Sequence, residues 1–386
     1  DTSEGGLEAL IVADMTGTRG VQPVAPTLHE PSDPLAALRN WQIGDPKDYD
    51  RAWTLDLVQF TDFIRATQPA LVDALSLDDD TPTRQKFLGR LQGEITKRGV
   101  IDVLRKGVKH GPHDVTLFYA TPSAGNTAAQ ACFRLNSFTV PRQLRYSQDD
   151  TAHALDLALF INGLPIATFE LKNSLTKQTV DDAVRQYQRD RDPRERLFEF
   201  GRCIVHFAVD DAQVMFCTHL KGKQSWFLPF NKGWNDGAGN PPNPDGLKTD
   251  YLWKEVLAPA SLANIIENFA QIIEKRDPKT GKVKKEQVFP RFHQLDVVRK
   301  LLADARANGA GRRVLIQHSA GSGKSNSIAW LAHQLIGLEV TGQPVFNSVI
   351  VVTDRRILDQ QIRDTIKHFA QVGATVGHAE RSGDLK

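Results

Sequence analysis

Residues 169–173 read FELKN, an acid and a lysine two positions apart in a run that is otherwise apolar. Successive strand residues point to opposite faces, so Glu170 and Lys172 share one face while Phe169, Leu171 and Asn173 share the other. Upstream, Asp156 lies in LDLALFING, and the intervening Asn162-Gly163 suits the positive φ angles of a tight hairpin turn. That turn brings Asp156 roughly opposite residues 169–170, so two carboxylates and a lysine converge. Two carboxylates with a nearby carbonyl offer the hard oxygen ligands that Mg²⁺ takes, with waters and a substrate phosphate completing its shell. Such an ion acidifies water and offsets charge on a phosphodiester, and Lys172 beside it could orient the water or stabilise developing charge. The chemistry is that of a metal-dependent nuclease. The plainer alternative is a surface ion pair between Glu170 and Lys172, with Asp156 unrelated.

A second set of residues, HSAGSGKSNS at 318–327, falls between the apolar run RRVLIQ and an apolar helical pattern. A nucleotide-binding loop of the form GxxxxGK(S/T) needs that setting, because glycines let backbone N–H groups face phosphate and the helix N-terminus adds positive potential. Gly323, Lys324 and Ser325 fit the end of the motif, whereas His318 stands at its first glycine position. In this reading Gly321, Ser322 and Gly323 form the turn, Lys324 reaches the β and γ phosphates of ATP, and Ser325 ligates a second Mg²⁺.

The elements that must hold these residues can be read from periodicity. From Leu155 the order is strand, strand, helix, strand, strand, with Val180, Ala183, Val184 and Tyr187 at helical spacing before Pro193. EKRDPKTGKVKKEQ is basic and turn-rich, which marks a linker or an exposed hairpin. Beyond it RFHQLDVVRKLLADA reads as an amphipathic helix, RRVLIQ as a short buried strand and SNSIAWLAHQLI as a helix. NSVIVVTD reads as a second buried strand, and a further helix contains ILDQQIRDTI. That alternation argues for a parallel sheet with crossover helices.

Composition sets the outer limits. A chain of 386 residues has room for two or more cores. No apolar stretch is long enough to span a bilayer and no signal-peptide pattern opens the chain, so a membrane role has no support. Three widely spaced cysteines, Cys132, Cys203 and Cys217, with no CxxC pairing, suit buried thiols in a reducing cytoplasm. The chain begins at Asp1 without a methionine and stops soon after a strong strand, which reads as a fragment.

Asp156 followed by Glu170-x-Lys172, in this strand and helix order, resembles the PD-(D/E)xK nucleases. The longer stretch LDLALFINGLPIATFELKNSLTKQTVDDAVRQYQRDRDP resembles the nuclease domain of the restriction subunit of type I restriction-modification enzymes. The resemblance implies an α/β fold, a mixed sheet flanked by helices, with Asp156 and Glu170 as metal ligands and Lys172 as the catalytic lysine. A QxxxY motif of many members would put Gln186 in the site, yet Asp190 stands where its tyrosine belongs and Tyr187 is adjacent. Glu8 matches an acid on the first core helix only loosely, and a solvated helix position is the expectation for it. Gln294 in FPRFHQLDVV resembles the adenine-reading glutamine of superfamily 2 helicases, and VIVVTDRRILDQQI their nucleic-acid track, with Thr353 and Arg355 on backbone phosphate.

These likenesses imply a PD-(D/E)xK endonuclease domain over residues 1–260, a connecting helix and basic linker over 261–286, and part of a first RecA-like ATPase lobe over 287–386. They also imply double-stranded DNA and the modification (methyltransferase) and specificity subunits as partners. The Walker B acid and second motor lobe would lie beyond Lys386, so ATP binding without efficient hydrolysis is expected. Two other readings stay open: a translocase whose nuclease-like domain only binds DNA, and a P-loop regulatory NTPase without nucleic acid.

Overall fold

The computed structural model describes residues 4–18, 41–122, 126–149, 153–276, 280–354, 362–363 and 365–366. The chain divides into two compact units: residues 1–272 with 287–289, and residues 273–286 with 290–386.

The first unit is a mixed seven-stranded sheet flanked by helices. Its strands are β1 (Gln42–Gly44), β2 (Phe138–Arg145), β3 (Ala154–Ile161), β4 (Leu164–Leu171), β5 (Val205–Val209), β6 (Val214–Cys217) and β7 (Leu228–Pro229), and they lie side by side in chain order. The pairs β1–β2 and β4–β5 are parallel, and the others antiparallel. Parallel neighbours need a crossover, which for β4–β5 is the helix α1 (Val180–Arg189). The Thr179 backbone N–H donates to the Asp182 carboxylate at 2.9 Å and the Val180 N–H to Asp210 at 2.7 Å, which satisfies donors that a helix N-terminus leaves unpaired.

The β3–β4 hairpin turns at Asn162 (φ 51°) and Gly163 (φ 79°), the conformation that a two-residue primed turn requires. Glycine is needed there for a second reason, since a Cβ at 163 would sit 2.4 Å from the Asp56 carbonyl oxygen. The ladder pairs Leu157 with Phe169 and Ala158 with Thr168. Every residue of β4 is buried, polar ones included. A core of Phe160, Val180, Ala183, Tyr187, Leu197, Phe198 and Ala208 packs α1 onto the sheet.

The basic segment is a hairpin, Gln271–Arg276 pairing with Val283–Val288, exposed at Glu274, Lys275 and residues 280–286 and buried at Gln271, Ile273 and Gln287. The rest of the second unit follows it. Two helices form over the expected stretches, α2 (Phe292–Asn308) and α3 (Lys324–Ile336). The two runs expected to be buried strands are not. Residues 312–317 and 347–353 lie in no strand, and Leu315 and Val352 are 91% and 86% exposed. A parallel strand is stable only with hydrogen-bonded neighbours and covered faces, and no such neighbours occur among the described residues. The helix expected around ILDQQIRDTI lies mostly outside the described residues, as does Arg355.

Candidate active site

Continuing the β3–β4 register one step past Leu157 and Phe169 sets Asp156 opposite Glu170. The carboxylate of half-buried Asp156 accepts the Leu171 backbone N–H at 2.6 Å, so side chain replaces backbone where the ladder ends. Glu170 is fully buried. One of its oxygens, Oε1, accepts from Arg191 Nε at 2.6 Å, while Oε2 has no hydrogen-bond partner among the described residues. Burial pushes the Glu170 carboxyl from 4.5 up to about 8; the Arg191 guanidinium pulls it down, the Asp156 charge adds to the rise, and Lys172 pulls it down further. Lys172 is buried at the end of the strand, its backbone N–H donating to the Val209 carbonyl at 2.9 Å.

An orphaned carboxylate oxygen in a dry site, beside a second carboxylate that repels it, fits a divalent cation. No cluster of three or more His, Cys, Asp or Glu side chains suited to a metal occurs among the described residues. A cation here would have two side-chain ligands, leaving the rest of its shell to backbone, water and substrate oxygens.

Among the neighbours on α1, Tyr187 rather than Gln186 faces the sheet. The Tyr187 hydroxyl shares a 2.7 Å hydrogen bond with Thr168 Oγ1, which meets His206 Nδ1 at 2.8 Å. Burial raises the Tyr187 phenol, and the charge of Glu170 adds to it. The same burial holds His206 neutral, its pKa depressed to about 3. Half-buried Gln186 makes no side-chain hydrogen bond to either acid among the described contacts.

Glu8 corrects the expectation of a solvated helix position. It is buried on the helix Glu4–Thr16, accepting from Arg142 Nε at 2.5 Å and Gln143 Nε2 at 2.8 Å. Side chains adjacent on a strand ordinarily point apart, and the left-handed Gln143 (φ 52°) accompanies their convergence on one acid. Arg191, which pairs with Glu170, is the neighbour that sequence reasoning missed.

In the second unit Gly323 (φ 82°) ends the loop at the start of α3. Lys324 Nζ donates to the carbonyls of His318 (3.2 Å) and Ser319 (2.8 Å), curling over its own loop. Ser325 is half-buried on the first turn of α3, Gly321 is exposed, and the Ser322 hydroxyl is buried without a partner among the described residues. Gln294 is buried with both ends of its amide engaged: Oε1 accepts the Arg291 N–H at 2.9 Å and Nε2 donates to the Gly323 carbonyl at 2.9 Å. The glutamine thus buttresses the loop. Thr353 is half-buried in a segment without regular structure. No helix among the described residues is long and apolar enough to cross a membrane.

Residues 81–225, which contain the acid hairpin and α1, match the family model for the type I restriction enzyme R protein N terminus. Residues 293–386, with Gln294 and the loop, match that for the SWI2/SNF2 ATPase. The HindI type I restriction enzyme endonuclease subunit of Haemophilus influenzae is 26% identical over 235 residues, covering 60% of this chain and 21% of that protein. A Methanocaldococcus jannaschii protein named as the MjaVIIIP type I restriction enzyme endonuclease subunit is 26% identical over 245 residues, with the same shares. A second from that organism, named as the MjaIXP subunit, is 22% identical over 278 residues, 65% of this chain and 24% of the relative. The chain spans about a fifth to a quarter of the length of these relatives. With the acid hairpin inside the matched region and these relatives beside it, residues 81–225 are similar to the N terminus of type I restriction enzyme R proteins.

Proposed function

We propose that the first unit is a PD-(D/E)xK nuclease domain that hydrolyses DNA phosphodiester bonds with Mg²⁺, as the restriction part of a type I enzyme. The observation that carries this reading is the fully buried Glu170 Oε2, without a hydrogen-bond partner among the described residues, next to Asp156. Asp156 and Glu170 would hold the ion, which supplies an acidified water and offsets phosphate charge when bound. The chain's own groups do the rest. Lys172, on the same face as Glu170, orients the attacking water or stabilises the charge that develops on phosphate. Tyr187, Thr168 and His206 form a neutral buried floor beneath the acids, which keeps their charge unscreened. Gln186 belongs to the rim of this site.

The second unit is proposed to bind ATP with Mg²⁺ at Gly321–Ser325. Lys324 would exchange its loop carbonyls for the β and γ phosphates, and Ser325 would ligate the ion. Adenine reading by Gln294 requires its amide to release at least one of its loop partners. In the whole protein the motor would move double-stranded DNA, with Thr353 and Arg355 on the backbone, alongside modification and specificity subunits. DNA cutting tests the central part. Supercoiled plasmid should be nicked by the chain in Mg²⁺ or Mn²⁺, and nicking should vanish with chelator, Asp156→Ala or Lys172→Ala. Nicking that persists in Asp156→Ala would overturn the reading.

A further inference from the structure

Arg191 follows α1 in a run of alternating charges, RDRDPRER, and has no part in the reading above. Its side chain is nonetheless 4% exposed. Nε donates to Glu170 Oε1 at 2.6 Å, Nη2 donates to the Ala154 carbonyl at 2.7 Å, and the guanidinium lies 5.7 Å from the centre of the Tyr146 ring. The two anchors stand on different strands. Glu170 is in β4, and Ala154 opens β3 two residues before Asp156. Between them the regular ladder has ended, and Leu171 N–H bonds the Asp156 side chain instead. Arg191 therefore ties together the two strand segments that carry the acids, at the point where backbone pairing no longer does so.

We propose that Arg191 is a positioning residue for the acid pair. With Nη2 fixed on the β3 backbone and Nε on Glu170 Oε1, it sets the carboxylate plane and leaves Oε2 as the oxygen offered to a cation shared with Asp156. This rests on the proposal that Asp156 and Glu170 hold a divalent cation. A planar fork with donors on separate nitrogens meets both anchors at once, and a lysine ammonium on a flexible stem does not reproduce that geometry.

Binding of Mn²⁺ alone to the 386-residue chain, followed by calorimetry, tests the assignment without reference to cutting. Wild type, Arg191→Lys, Arg191→Gln, Tyr146→Phe and Asp156→Asn are compared, with melting temperatures taken in the absence of Mn²⁺. Arg191→Lys and Arg191→Gln should each weaken Mn²⁺ binding about tenfold or more, and Tyr146→Phe, which leaves the ring but removes the hydroxyl that hydrogen-bonds the guanidinium, by a smaller factor. Melting temperature falling in Arg191→Lys while Mn²⁺ affinity stays within about twofold of wild type marks a structural residue and overturns the proposal. Tighter binding does the same, because the guanidinium would then act only by repelling the cation. If Arg191→Gln fails to fold, Arg191→Lys and Tyr146→Phe carry the comparison. Wild-type binding that is absent, or insensitive to Asp156→Asn, overturns the acid-pair reading itself and this inference with it.

Discussion

Raising pH should sharply strengthen divalent-cation binding at the acid pair. Glu170 is lifted from 4.5 to about 8, chiefly by burial, so below that pH its carboxyl carries a proton that a cation must displace. The sign follows directly: proton and cation compete for one group, so affinity climbs with pH until the carboxyl is ionised, and levels off above it. For simple competition the affinity is reduced by one plus ten to the power of pKa minus pH, which gives about 50-fold between pH 6 and pH 8. A carboxyl titrating at its ordinary value would change affinity by only roughly 3% over the same interval. Calorimetric titration with Mn²⁺ at pH 6, 7 and 8, using wild type and Asp156→Asn, reads the slope. Affinity that varies less than about threefold across that range would refute the idea that a desolvated carboxyl is a ligand.

Gly163→Ala should destabilise the first unit by about 2–4 kcal/mol, combining a left-handed backbone with a Cβ driven into Asp56 and Phe60, as measured by urea denaturation. Tyr187→Phe should cost about 1 kcal/mol in the same assay, because Thr168 loses one of its two buried partners and keeps only His206. Lys324→Ala should abolish binding of a fluorescent ATP analogue yet leave Mn²⁺ affinity at the acid pair unchanged.

The parts of the fold legible in the sequence are those set by short-range chemistry. Asn162-Gly163 could only turn, which placed Asp156 near residues 169–170. Counting from the turn alone sets it opposite Phe169; the bulge between Leu159 and Phe160 shifts the register by one and brings it opposite Glu170, and nothing local in the sequence marks that bulge. Helix α1 was equally readable from Val180, Ala183 and Tyr187. Arg191 was hidden because its run of charges looks like a solvated face. Arg194 in the same run is indeed 89% exposed, and only a partner 21 residues away distinguishes Arg191. Glu8 was misread for a similar reason: the residues that bury it, Arg142 and Gln143, lie more than a hundred positions downstream. The apolar runs flanking the phosphate loop have strand composition, but composition supplies no neighbours, and hydrogen-bonded neighbours are what make a strand.

The most direct test of the account is where a cation sits. Crystals grown with Mn²⁺ and measured at wavelengths on either side of its absorption edge should give an anomalous peak between Asp156 and Glu170, about 2.0–2.3 Å from Glu170 Oε2, with Arg191 still on Oε1. A chain that is fully loaded by calorimetry but shows no peak there, or one only at the phosphate loop, would contradict it.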